Sequence, residues 1–198
     1  MKWYDLLMGD ENRLEHPLLT SEEDMFRVDA YDLKIGKQLQ SWDMRSYLRS
    51  TSVEDDGEPD DILGEHLGVP TFSTRLQKAL AHEGVGTKDV QYLPIRVMKS
   101  TGEEISGFAI ANIIARVPAL DYDKCFMLDQ HKTRLDPLTG RPDVTGIGKI
   151  ALKAEPLTGH DIIRLLEFFP PVLVSERFAN VFRKGKFTGA IMTEVRIS

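Results

Sequence analysis

Pro70-Thr71-Phe72-Ser73-Thr74-Arg75-Leu76 and, about a hundred residues later, Val172-Leu173-Val174-Ser175-Glu176-Arg177-Phe178 decide the fold. Each stretch is a short apolar run, then a Ser, then an Arg two residues on. Leu76, Ala79 and Leu80 continue the first at helical spacing, and Phe178, Val181 and Phe182 continue the second. Ser73 and Ser175 stand where a helix N-cap belongs, so each hydroxyl can accept from an unpaired N–H of the first turn. Glu176 suits the positive end of its helix dipole. Gly84 and Gly185 fit the left-handed position that ends many helices. Tyr92 to Val97 and Ile191 to Ile197 then read as strands, with Pro94 marking an edge or a bulge in the first. Two copies are too few for a solenoid. They predict two related halves of one α+β domain, with strand-helix-strand units over 70–97 and 171–197 packed on mixed or antiparallel sheets.

With 198 residues, 41% of them hydrophobic, the chain can bury a sizeable core. No apolar run reaches the roughly 18 residues of a membrane span. Met1 to Met8 lacks the long apolar stretch of a signal peptide. Cys125 is the single cysteine, which excludes an internal disulfide and fits a reducing compartment. A cytoplasmic protein is the expectation.

Charge is uneven. Residues 1–69 hold 17 acidic and 7 basic side chains, whereas residues 70–198 hold 14 and 18, within a net charge of −6. The densest acidic run, Glu54-Asp55-Asp56-Gly57-Glu58-Pro59-Asp60-Asp61, has two readings: a solvated loop held open by self-repulsion, or a docking surface for a basic partner. It does not match a calcium loop, whose oxygen ligands sit at fixed offsets around a turn Gly. Residues 1–61 are expected to form an acidic β-rich and loop part, and residues 62–198 the repeat-bearing domain. Along the chain, Lys2 to Met8 and Phe26 to Leu33 read as strands, and Glu103 to Val117 as one or two buried strands. Asp129 to Gly148 reads as a long turn-rich loop. Thr158-Gly159-His160-Asp161 resembles a capping signal for a helix through Phe169, although Pro170-Pro171 leaves a strand open.

Catalytic fingerprints are missing. Gly146-Ile147-Gly148-Lys149 fails as a phosphate loop, because Asp143 stands where the first Gly is required and Ile150 where magnesium needs Ser or Thr. No dinucleotide fingerprint, zinc pattern or serine elbow is present. The five histidines are scattered, with His131 near Asp129, Asp136 and Asp143 as the one candidate cluster. Cys125, beside Phe126, Met127 and Leu128, reads as an inert thiol. An acidic chain with one short basic stretch, Arg183-Lys184-Gly185-Lys186, is not built for nucleic acid. No catalytic residue, cofactor or metal is expected.

The second stretch with the preceding Asp161-Ile162-Ile163-Arg164-Leu165, the first leading to Gln91-Tyr92-Leu93-Pro94-Ile95, and the opening Met1-Lys2-Trp3-Tyr4 together resemble the bacterial polymorphic-toxin immunity family numbered eleven. The resemblance implies a cytoplasmic, non-catalytic protein that binds and neutralises a cognate toxin. If that toxin is a basic nuclease, Glu54, Asp55, Asp56, Glu58, Asp60 and Asp61 are the expected contact residues, standing in for phosphates. Two alternatives stay open: a small enzyme or ligand-binding domain using the 129–148 loop, and a scaffold or regulatory protein of a secretion locus. The sequence leaves the oligomeric state undetermined.

Overall fold

Largely apolar strands buried on both sides build two six-stranded sheets, and a helix pair packs against their inner faces with its other side exposed. The computed structural model describes residues 1–9, 19–20, 30–50, 59–64, 68–99, 101–135, 140 and 142–198. In chain order the elements are β1 (Trp3–Met8), β2 (Leu19–Thr20), α1 (Ala30–Lys34), β3 (Tyr47–Ser50), β4 (Ile62–Leu63), β5 (Thr71–Ser73), α2 (Thr74–His82), β6 (Val90–Met98) and β7 (Glu104–Ile113). Then follow β8 (Arg116–Val117), β9 (Phe126–Leu135), β10 (Pro142–Lys149), β11 (Ala151–Leu152), a 3-10 turn (Glu155–Leu157), β12 (Ile162–Leu165), β13 (Leu173–Ser175), α3 (Glu176–Lys184) and β14 (Ala190–Ile197). This is an α+β architecture with mixed sheets, as the repeat predicts.

The strand orders are β2-β3-β6-β7-β5-β4 and β11-β14-β1-β13-β12-β8. Five strands correspond across the two sheets, in identical pairing sense: β4-β5-β7-β6-β3 in one and β12-β13-β1-β14-β11 in the other. The registers coincide as well. Ile62 pairs with Phe72 as Ile162 pairs with Val174, and Tyr47 pairs with Arg96 as Ala151 pairs with Arg196. In the first half, β6 runs directly into its neighbour β7. In the second, the equivalent place beside β14 is filled by β1, so residues 3–8 sit in the middle of the second sheet, between β13 and β14.

Side chains on the inner faces meet in one core. Tyr4, Leu6, Val172 and Val174 come from one sheet, Phe72, Val90, Ala111 and Ile113 from the other, and Leu76, Leu80, Phe178 and Phe182 from the helices. Phe72 of the first half contacts Phe178 of the second at 6.2 Å between ring centroids, and each such buried ring contributes about 2 kcal/mol by area. The outer faces are covered too. Trp3, Ile163, Leu165 and Leu173 pack with Leu120, Leu152 and Leu157, while Leu93, Ile95, Phe108 and Ile110 pack with Leu33 and Leu48. Burial on both faces explains why Phe108–Ile113 and Ile162–Leu165 are apolar but for Asn112 and Arg164, which are themselves buried.

Several expectations are corrected. The 129–148 segment is largely an irregular antiparallel ribbon, β9 with β10, rather than a loop; its pairing shifts register at four places, which absorbs the Gly and Pro residues. Residues 30–34, expected in a strand, form a helical turn whose Leu33 is buried, while 26–29 lie outside the described residues. After Thr158 the chain makes the strand β12, not a helix, because all four of its residues are buried between two packed faces. Gly185 does not take the left-handed position. Its φ is −79°, and Lys186 adopts φ 50° in its place, equivalent to Gly84 at φ 63°. Gly185 is required for space instead: a Cβ there would come within 2.1 Å of the Phe187 ring.

A left-handed Lys carries a steric cost that Gly does not. Lys186→Gly is therefore expected to stabilise the fold by about 0.5 kcal/mol, read from the urea midpoint, and Gly185→Ala to destabilise it. A second strain lies in β1, where Asp5 occupies the place that buried Ile110 fills in the other sheet. Asp5 Oδ1 is buried with no hydrogen-bond donor among the described residues, and burial raises its carboxyl above the usual range. A raised carboxyl favours the protonated folded form, so the penalty is absent below the unfolded pKa and grows as pH rises through the folded value. Asp5→Asn should raise the melting temperature by a few degrees at neutral pH, with the gain vanishing toward about pH 4.

Candidate functional site

Two matching polar clusters hold the helix pair. Ser73 begins α2 and accepts from the Leu76 N–H at 3.1 Å; Ser175 begins α3 and accepts from the Phe178 N–H at 3.3 Å. Each hydroxyl also donates to an aspartate that precedes the neighbouring strand of its own half, Ser73 to Asp61 ahead of β4 and Ser175 to Asp161 ahead of β12, both at 2.7 Å. The same aspartates receive an arginine from the first turn of the helix. Arg75 pairs with Asp61 through two nitrogens, and Arg177 Nη1 donates to Asp161 at 2.8 Å.

The clusters then reach across to the opposite half. Arg75 donates to the carbonyls of Gly185 (3.1 Å) and Lys186 (3.5 Å) at the end of α3. Arg177 donates to those of Glu83 (3.0 Å) and Gly84 (3.4 Å) at the end of α2. Beyond each helix end, the Thr188 N–H donates to Asp61 and the Gly86 N–H to Asp161, each at 3.2 Å. The Arg75 guanidinium also stacks 4.2 Å from the Phe187 ring centre. Every arginine thus satisfies carbonyls that a helix C-terminus leaves unpaired, and it does so for the other repeat's helix. The two helices are antiparallel in consequence.

Asp61 was expected on an exposed acidic face. It is buried, 6% exposed, with both carboxylate oxygens occupied, so it serves the clasp and is removed from the docking set. Asp60 next to it is half-buried. Glu54, Asp55, Asp56 and Glu58 lie outside the described residues. A third buried carboxylate, Asp89, went unnoticed in the sequence because its partners are distant: it accepts from the backbone N–H groups of Asp161 and Ile162 and meets His160 Nδ1 at 2.7 Å. His131 falls opposite Asp143 in the β9–β10 register and Asp129 opposite Gly146, while Asp136 lies outside the described residues. Cys125 Sγ accepts from the Ala151 N–H at 3.2 Å, and burial raises its thiol above the usual range, which disfavours the thiolate.

Between the exposed faces of α2 and α3 runs a groove of about 540 Å³. Its floor is apolar, made by Ala79, Val85, Val181 and Phe187, and its rim carries His82, Glu83, Arg177, Asn180 and Lys184. Most lining residues come in equivalent pairs 102 residues apart, Ala79 with Val181, His82 with Lys184, and Val85 with Phe187, so the groove lies on the pseudo-two-fold axis. No helix among the described residues is long and apolar enough to cross a membrane.

This arrangement is a duplicated α+β scaffold: two similar halves clasped through their helices, with a groove on the exposed side of the helix pair. A family model described as the immunity protein family Imm11 matches residues 4–196, covering both halves, and the chain belongs to that family. No curated protein matches the chain.

Removing one member of a buried ion pair strands the other. Asp161→Ala, which leaves Arg177, Ser175 and the Gly86 N–H without their acceptor, is expected to cost about 3 kcal/mol in urea unfolding. Arg177→Met strands the buried Asp161 carboxylate, which keeps only its Ser175 and Gly86 hydrogen bonds, and should cost about 2 kcal/mol. Equal, small losses from both would show that the clasp contributes little.

Proposed function

We propose that the protein binds a cognate bacterial toxin stoichiometrically and neutralises it without catalysis, in the cytoplasm. The family match across residues 4–196 is the observation that carries this reading. The use of the buried polar groups supports it: Asp61, Asp161, Ser73, Ser175 and Asp89 are all committed to backbone or to one another. The acid-rich segment adds the electrostatic part. Glu54, Asp55, Asp56, Glu58 and Asp60 steer the protein toward a basic toxin, such as a nuclease whose substrate cleft attracts phosphates. Focused charge raises association rates more than it raises affinity.

Co-expression with the product of the neighbouring gene tests the reading. The expected outcome is a 1:1 complex in a pull-down and relief of growth inhibition. Reversing Glu54, Asp55, Asp56 and Glu58 to Lys should slow association about tenfold at low salt and flatten its salt dependence. Unchanged rates at all salt concentrations would remove the acidic steering while leaving immunity intact.

A further inference from the structure

We infer that the groove between α2 and α3 is a second toxin contact, opposite in sign to the acidic segment, and that it receives an acidic segment of the toxin carrying an apolar anchor. This inference rests on the toxin-binding reading above.

Charge is the first argument. Residues 74–86 and 176–186 contain six basic side chains (Arg75, Lys78, Arg177, Arg183, Lys184, Lys186) and two acidic ones, within a chain of net charge −6. Arg75 and Arg177 are balanced by Asp61 and Asp161. Lys78, Lys184 and Lys186 are exposed and form no ion pair among the described residues. The cationic character of the helix pair is therefore open to a partner, while most of the remaining charge on the chain repels one that is acidic throughout. A bipolar partner satisfies both faces. Opposed patches of this kind fix orientation and penalise partners of a single sign.

Shape is the second argument. The floor of Ala79, Val85, Val181 and Phe187 presents apolar surface between the two helices, and about 540 Å³ accommodates one or two large apolar side chains. Charge at the rim with an apolar centre is the composition of a protein-binding hot spot. A second copy of this chain is a poor occupant, since pairing across the groove would oppose lysine to lysine. A nucleic acid offers no apolar anchor for the floor and would meet the repulsion of the rest of the chain.

Two variants test the groove without touching the clasp. Lys184→Glu reverses the lysine of the rim, and Asn180→Trp fills the groove with every charge left in place, so one readout survives if the other variant folds poorly. The measurement is the Kd for an inactivated form of the neighbouring-gene toxin, with thermal melts as the folding control. The expected result is at least tenfold weaker binding by both variants, with the loss for the charge reversal shrinking at high salt. Wild-type binding retained by both variants would overturn the groove while leaving immunity standing. Absence of any complex with the wild-type protein would overturn both readings. Wild-type self-association, or binding to a 20-base-pair DNA duplex, abolished by the charge reversal would assign the groove to another occupant and overturn the inference.

Discussion

The reciprocal clasp between the two halves is the interaction on which the structure depends. Asp61 and Asp161 are buried carboxylates, and a buried carboxylate is tolerated only when charge and hydrogen bonds surround it. Each finds the serine and arginine within its own half, but the remaining valences are met across the axis: Thr188 N–H for Asp61 and Gly86 N–H for Asp161. Each arginine likewise finishes the helix of its counterpart. Neither half can satisfy its own polar groups alone, so the repeat is a device for holding two sheets and two helices as one body. The apolar core shared by both sheets supplies the bulk of the driving force, and the clasp determines which arrangement of the halves is allowed.

The halves differ where the symmetry meets other demands. Lys186 stands in the left-handed position that Gly84 fills, and Thr188 replaces Gly86. Gly86 is held in place by Ile162, which a Cβ at that position would approach within 2.8 Å. The strand paired to β14 comes from residues 3–8 rather than from a continuous hairpin, and it brings Asp5 into a place where the other sheet has Ile110. These departures concentrate in the second half, which also carries Arg183 and Lys184 in its helix and Lys186 just beyond it.

The helix pair presents two different faces. Inward, the helices present Leu76, Leu80, Phe178 and Phe182 to the core. Outward, the same helices present a groove and lysines that the fold itself does not use. Charge along the chain is segregated by sign: acidic in the sequence before residue 62, basic on the helix pair. Segregated charge suits a protein that must select one partner among many and hold it in one orientation.

Much of this was legible in the sequence. The two Ser-x-Arg stretches, each followed by apolar residues at i, i+3 and i+4, announce two capped helices and their strands, because capping and amphipathicity act within a few residues. The immunity-family resemblance follows from the same stretches. What local reasoning missed are effects of distance. Asp61 reads as the last member of an acidic run, and only Arg75 and Thr188 beside it reveal a structural carboxylate. The helical reading of Ile162–Leu165 loses to strand pairing, and Gly185 reads as a left-handed cap until Phe187 is seen to occupy the space a side chain would need. The sequence by itself determined the duplicated strand-helix-strand units and the polarity of charge along the chain. Only the tertiary structure decided that β1 completes the second sheet, that each arginine serves the other helix, and that the helix pair encloses a groove, because each of these depends on groups far apart in sequence that pairing and packing bring together.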